Sequence, residues 1–173
     1  MEVQSEPALT EKGPSLVVRR ISDWRRLRDL RLLALAEAPY AFGSTLAREQ
    51  AFGEAEWTSR CRGAVWVAAW RSDVAVGLAC LGPAQASEPS CRRIFSMWVS
   101  PRARGGAVAG AMLHFLTGWA AAEGYSVVRL HVAAGNRRAF DLYSRHGFRP
   151  TGASEPIRGD PQVSALELKL DLV

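Results

Sequence analysis

The chain has 173 residues, 48% of them hydrophobic and 23% charged, enough to bury the core of one domain and too apolar for a disordered chain. Its net charge of +5 attracts anions, but the arginines are scattered, with short pairs at Arg25-Arg26, Arg92-Arg93 and Arg137-Arg138; no basic strip interleaved with aromatics speaks for nucleic acid. Three cysteines without metal-type spacing (Cys61, Cys80, Cys91) read as the reduced thiols of a cytoplasmic protein.

Residues 1–15 are polar and lack the basic start and apolar centre of a signal peptide, so they read as a loose tail ahead of one domain over residues 16–173. Leu16 to Ile21 is a first strand. Ser22 then stands as the N-cap of a helix that runs to about Glu37, presents Trp24, Leu27, Leu30 and Leu33 at helical spacing, and stops before Pro39. Two short helical pieces follow, one from Gly43-Ser44 and one from Glu54 to Arg62, split at Gly53. Ala64–Trp70 and Val74–Leu81 form a tight hairpin, and a loop rich in Pro, Ser and Ala leads to a strand from Arg93 to Val99 that Pro101 ends.

Next comes a long helix from about Ala107 to Glu123, closed by Gly124 and too short for a membrane span. Ser126 to Val132 is a nearly continuous apolar strand, as in a sheet covered on both faces. Asn136 opens another helix, Gly147 closes it, and two more strands begin at Phe148 and Ser164. The sum is one α/β (α+β) domain of about seven strands and about four helices, with hairpins in its first half and strand–helix–strand–helix–strand in its second.

Two stretches carry chemistry. Val99 to Gly110 joins a strand end to a helix start, where unpaired amides at the positive end of the helix dipole and small side chains suit a phosphate or diphosphate. It has neither the Gly-Lys-Ser/Thr of a P-loop nor Gly-x-Gly-x-x-Gly, and a plain flexible turn is the alternative. In the second stretch, Asn136 to Phe148, Asn136 is an N-cap by position and Tyr143 lies two helical turns further along the same side.

Together these stretches resemble the GNAT superfamily of N-acetyltransferases. That family's second motif, Asn-x-x-Ala-x-x-Leu-Tyr-x-x-x-Gly-Phe, is matched at every fixed position by Asn136, Ala139, Leu142, Tyr143, Gly147 and Phe148. Its coenzyme motif, Arg/Gln-x-x-Gly-x-Gly/Ala after Pro-x-x, is met by Pro101 and Arg104-Gly105 onward, or, in a second register, by Arg102, Gly105 and Ala107.

The resemblance implies a mixed, mostly antiparallel sheet with a splayed central parallel pair, and acetyl-CoA as acetyl donor for a primary amine. The donor's pantetheine would lie along Met97, Trp98 and Val99. Its diphosphate would sit on the main chain of Arg104, Gly105, Gly106, Ala107, Val108, Ala109 and Gly110, with Asn136 on the cofactor arm. Tyr143 would protonate the departing thiolate while a backbone N–H near Val99 polarises the carbonyl. The expected acceptor is a small-molecule amine, with a protein N-terminus or lysine and a non-catalytic acyl-CoA sensor as alternatives; a homodimer is compatible with the family.

Two departures stand out. Ala107 replaces the motif's first glycine, which at a positive φ costs on the order of 1 kcal/mol. The strand before the loop holds no carboxylate, so Glu37, Glu49, His131 or a water chain past Ser96 is left as the proton acceptor, with His131 expected to be a buried structural residue.

Overall fold

The computed structural model of the protein describes residues 15–157 and 160–172, so the expected tail lies outside the described residues apart from Ser15. The first half of the chain runs β1 (Leu16–Arg20), α1 (Trp24–Glu37), α2 (Leu46–Gln50), α3 (Glu54–Gly63), β2 (Val65–Arg71), β3 (Val74–Leu81). The second half runs β4 (Cys91–Val99), α4 (Val108–Ala122), β5 (Val127–Ala133), α5 (Arg137–Arg145), β6 (Arg149–Ile157), β7 (Asp160–Asp171). One sheet holds all seven strands in the order β1-β2-β3-β4-β5-β7-β6. Every neighbouring pair is antiparallel except β4 and β5. The expected fold class holds, with five α-helices among the described residues where about four were expected.

Local chemistry explains most boundaries. Helix α1 is capped by Asp23, one residue later than the expected Ser22: the Asp23 carboxylate accepts the Arg25 amide at 2.9 Å. The helix ends one residue before Ala38, whose conformation the following Pro39 restricts. Helix α5 closes with the left-handed Gly147 (φ +87°), after which the Phe148 amide reaches back to the Tyr143 carbonyl at 3.1 Å.

Two apolar clusters sandwich the sheet, and they are unequal. One packs α4 and α5 against every strand but β6, from Val65 and Val67 of β2 to Val128, Leu130 and Val132 of β5 and Leu168 of β7. The other packs α1 and α3 against Trp66, Ala68, Leu78, Cys80 and Trp98, and takes no residue from β5, β6 or β7. Among the described residues, half of one sheet face is therefore bare of helices. Along β5, buried Val128, Leu130 and Val132 alternate with half-buried Arg129 and His131, which point to that bare face.

The parallel pairing of β4 with β5 runs from Cys91↔Val127 to Ile94↔Leu130 and stops there, although both strands continue. On its other side β4 gains one residue against β3 between Phe95 and Trp98, a bulge at which Ser96 takes a left-handed φ of +57°. A serine seldom adopts that conformation unsupported. Support comes from the buried Arg31, which donates to Ser96 Oγ at 3.2 Å and grips Glu49 of α2 through Nε and Nη2 at 3.0 and 2.9 Å.

Glu49 is fully buried and also meets Arg60 at 3.5 Å. Burial alone would push its carboxyl up, but the Arg31 hydrogen bonds and the two guanidinium charges outweigh it and hold Glu49 below the usual carboxylate range. Because the folded value is depressed, the stability this group contributes is present above the ordinary carboxylate range and is lost as pH falls through its folded value. Glu49→Gln leaves a buried guanidinium without its anion and is expected to cost about 3–5 kcal/mol at neutral pH. Chemical denaturation between about pH 7 and pH 3 should show the gap between wild type and variant closing on the acid side.

Candidate active site

Past Ile94, the strand edge of β4 that faces β5 is open. Gly77 lies opposite Val99, and the Ser100 amide donates to the Val76 carbonyl at 3.0 Å. In an antiparallel ladder that pattern makes Leu78 and Trp98 the pair that exchanges bonds and turns the N–H and C=O of Val99 away from β3, toward the splay. Of the three β4 residues nominated from sequence, Val99 thus offers its main chain to the cleft. Met97 is half-buried against the α4-side core. Trp98 looks elsewhere: its main chain belongs to β3, and its buried indole donates to Glu37 at 2.7 Å.

Beyond β4 the chain makes one 3-10 turn at Pro101–Ala103, anchored by the buried Ala103, and then the loop into α4. The left-handed residue of this loop is Gly105 (φ +86°). Ala107 sits in the right-handed region (φ −76°, ψ −4°) as N-cap of α4, so alanine there carries no backbone penalty, contrary to the cost attached to it from sequence. No side chain caps α4 and its first turn holds no acidic residue. The amides of Val108, Ala109 and Gly110 are therefore open to an anion, while the Val108 side chain is fully buried in the core. Gly110 is small for packing: a Cβ there would lie 2.8 Å from Nε2 of His146, at the end of α5.

Arg104 does not point its charge at an anion. Its Nε donates to the Val99 carbonyl at 3.0 Å and its Nη2 to both oxygens of Glu37 at 2.8 and 3.1 Å. Two arginines that sequence reading missed stand over the loop instead. A Cβ on Gly105 would come within 3.2 Å of Nη2 of Arg138, and one on Gly106 within 3.4 Å of Nη2 of Arg71. Neither guanidinium has a carboxylate partner among the described residues, whereas neighbouring Arg137 pairs with Asp141 at 3.4 Å. Arg138 lies inside the Asn136 motif and was within reach of inspection. Arg71 ends β2, about 35 residues before the loop, and no local signal marks it.

Asn136 caps α5, its Oδ1 accepting the Ala139 amide at 3.1 Å. Tyr143 is 7% exposed and meets Phe148 edge-to-face at 6.1 Å; burial pushes its phenol up to about 12. Of the nominated proton acceptors, Glu49 is sealed against Arg31, and Glu37 is held by Arg104 and Trp98. His131 is not the buried residue expected. Its side chain is 25% exposed on the helix-free face, 3.6 Å from Glu155 and 3.9 Å from Glu167.

With this geometry in view, the comparisons with known proteins are decisive. The model of the acetyltransferase (GNAT) family matches residues 27–148, from α1 through α5 to Phe148. The chain belongs to that family. It is an acetyl-CoA-dependent acetyltransferase. No curated protein matches it.

Solved GNAT structures superpose over nearly its full length. An N-acetyltransferase from Staphylococcus aureus Mu50 has a TM-score of 0.75 at 19% identity, covering 92% of this chain and 99% of that one. A ribosomal-protein-alanine N-acetyltransferase from Brucella melitensis gives 0.73 at 20%, covering 90% and 99%. A putative acetyltransferase from Salmonella typhimurium, solved with acetyl-CoA, gives 0.70 at 18%, covering 91% and 94%. At these identities the likeness is one of fold.

The residues present fit the donor. Acetyl-CoA is rich in phosphate, and an uncapped helix start flanked by two guanidiniums without a carboxylate partner among the described residues is chemistry that suits it. Gly105→Ala is expected to cost about 1 kcal/mol, since the residue needs a left-handed φ. Ala107→Gly, where φ is ordinary, should lower stability only through backbone entropy. Thermal melts of the two variants check the assignment.

Proposed function

We propose that the chain transfers the acetyl group of acetyl-CoA to the primary amine of a small molecule by direct attack within a ternary complex. The observation that carries this reading is the open edge of β4: the Val99 main chain faces the splay, next to the uncapped start of α4. The donor's pantetheine would add to that edge as a short extra strand. A main-chain N–H of this open edge, between the bulge at Ser96 and Val99, would be the donor to the thioester carbonyl as charge develops on it. Gly105, Gly106 and the amides of Ala107 to Gly110 would receive the diphosphate. Arg71 and Arg138 would supply the charge that Arg104 spends on Glu37. Arg104 then orders the loop, and Asn136, with its Oδ1 used in capping, keeps its amide nitrogen as a donor to the cofactor arm.

Tyr143, with its phenol pushed up to about 12, stays protonated at neutral pH and is a weaker acid than a thiol, whose ordinary value is about 8.5. Its contribution is a hydrogen bond to the departing sulfur rather than complete delivery of a proton. The thiols of Cys61, Cys80 and Cys91 are buried, and burial pushes each of them up. None is suited to carry an acetyl group in a covalent relay, which supports direct attack.

Carboxylates on the helix-free face support a cationic acceptor. The edge strand β6 carries Pro150 and Pro156, which cannot donate to an added peptide strand; this favours a small molecule over a protein.

Free CoA released from acetyl-CoA should be measured with polyamines, aminoglycosides, arylamines, amino acids and short peptides. Release is expected with a small amine; release with peptides alone would sink the small-molecule reading. Tyr143→Phe should lower kcat roughly tenfold with acetyl-CoA affinity unchanged, and an unaltered rate would remove the tyrosine from the chemistry. Arg71→Ala and Arg138→Ala should each weaken acetyl-CoA binding by roughly three- to tenfold, read by titration calorimetry, while Arg137→Ala leaves it unchanged.

A further inference from the structure

The carboxylate that many family members place on the strand before the coenzyme loop is absent from this chain, and two of the three residues nominated to replace it are already committed. Glu49 is fully buried beneath Arg31 and Arg60. Glu37 accepts two hydrogen bonds from Arg104 and one from Trp98. His131 is different in both place and partners. It immediately follows Leu130, the last β5 residue paired with β4, and so stands at the vertex where the two strands part. Its neighbours Leu130 and Val132 point into the core beneath α4, so strand alternation turns the imidazole to the opposite, helix-free face.

We infer that His131 is the general base of the acetyl transfer, receiving a proton from the acceptor's ammonium group at the vertex of the splay. Its ring nitrogens lie 3.6 Å from Glu155 and 3.9 Å from Glu167, beyond hydrogen-bond distance, so neither is tied up. Both carboxylates still attract the cation.

Glu167 sits directly across from His131 on β7 and is itself fixed. Arg93 of β4 holds it at 3.4 Å, Arg129 of β5 at 3.6 Å, and the Thr151 hydroxyl of β6 donates to it at 3.1 Å. Glu155 of β6 is largely exposed and has no arginine partner among the described residues. The same two arginines also meet Glu88 of the loop before β4, Arg129 at 2.8 Å and Arg93 at 3.5 Å, and Lys169 shares this face of β7. Glu155, the carboxylate without an arginine partner among the described residues, is the one placed to attract an ammonium ion to the imidazole.

The step balances. One N–H bond of the ammonium breaks and its proton passes to the imidazole. The freed lone pair forms the C–N bond, and the C–S bond breaks as the tetrahedral adduct collapses. A second proton leaves the nitrogen for the thiolate, giving amide and free CoA, and the imidazolium returns its proton to solvent.

The inference rests on reading the splay as the thioester site, and its test separates the two. Wild type, His131→Gln and His131→Asn are compared by acetyl-CoA calorimetry and by kcat across pH with the fastest amine of the panel above. Both variants should bind acetyl-CoA within about twofold of wild type and lose roughly a hundredfold or more in kcat at neutral pH. Part of that loss should return at high pH, where more of the amine is already unprotonated. A variant with the wild-type rate and pH profile overturns the assignment. So does loss of acetyl-CoA binding in both variants, which would make His131 a structural residue of the vertex. Wild-type protein that binds acetyl-CoA and acetylates nothing in the panel overturns the enzyme reading, and the base with it.

Discussion

The structure turns on one break in the sheet: β4 and β5 pair through Ile94↔Leu130 and then stop, while both strands run on. Parallel neighbours that separate leave backbone donors and acceptors without partners. Burying such a group unpaired costs about 1–3 kcal/mol. The break persists because the bulge at Ser96 bends β4 away, and the bulge persists because Arg31 reaches Ser96 Oγ from α1. Arg31 can occupy that site only with its charge balanced, and Glu49 of α2 balances it. A buried ion pair of this kind contributes little net stability compared with an apolar replacement. Its value here is geometric: it ties two helices to the one strand irregularity that opens the cleft.

Charge is divided among the arginines in a way composition does not reveal. Arg104 holds the position that motif spacing favours for the cofactor, yet it closes a contact between the loop, the end of β4 and the end of α1. Arg71 and Arg138 come from distant parts of the chain and stand over two adjacent glycines, Arg138 over Gly105 and Arg71 over Gly106. The first arrangement ties the loop down; the second supplies positive potential with no short-range carboxylate to quench it among the described residues. A loop whose own arginine did both would give up order whenever it released its carboxylate.

What could be read from sequence and what could not divide along physical lines. Elements of strong period or with strong end signals were legible: the apolar face of α1, the β2–β3 hairpin, the Asn136 cap and the Gly147 stop all depend on residues close in sequence. The seven strands and the parallel pair followed from those elements together with the family motif. The fine placement of side chains was not legible, because it depends on contacts across the sheet. Trp98 donates to a residue 61 positions away, and Arg104 meets one 67 away. Whether Ala107 needed a left-handed conformation was equally hidden, since the turn can place its one strained residue at Gly105 instead. His131 was misjudged because a central strand was taken to be covered on both faces. The second cluster ends at β4, and no sequence period reports where a helix layer stops.

That uneven coverage has a chemical consequence. On β5 the same two-residue period that sends Leu130 and Val132 beneath α4 sends Arg129 and His131 into the uncovered half-face. The phosphate-suited loop belongs to the α4 side, where Gly77 lies so close to Val108 and Met112 that a Cβ would fall 2.9 Å from both. The carboxylates and the imidazole belong to the other side. A thioester threaded through the splay from the loop would be met by a cationic amine arriving over the bare face, with β4 and β5 as the wall between them. Donor and acceptor then need not pass through the same opening. In the proposed reaction the amine's proton would leave on the side of His131 and Glu155, and the sulfur toward the side where the helix dipole and the two arginines stand. That separation of the two leaving partners follows from where the second helix layer ends.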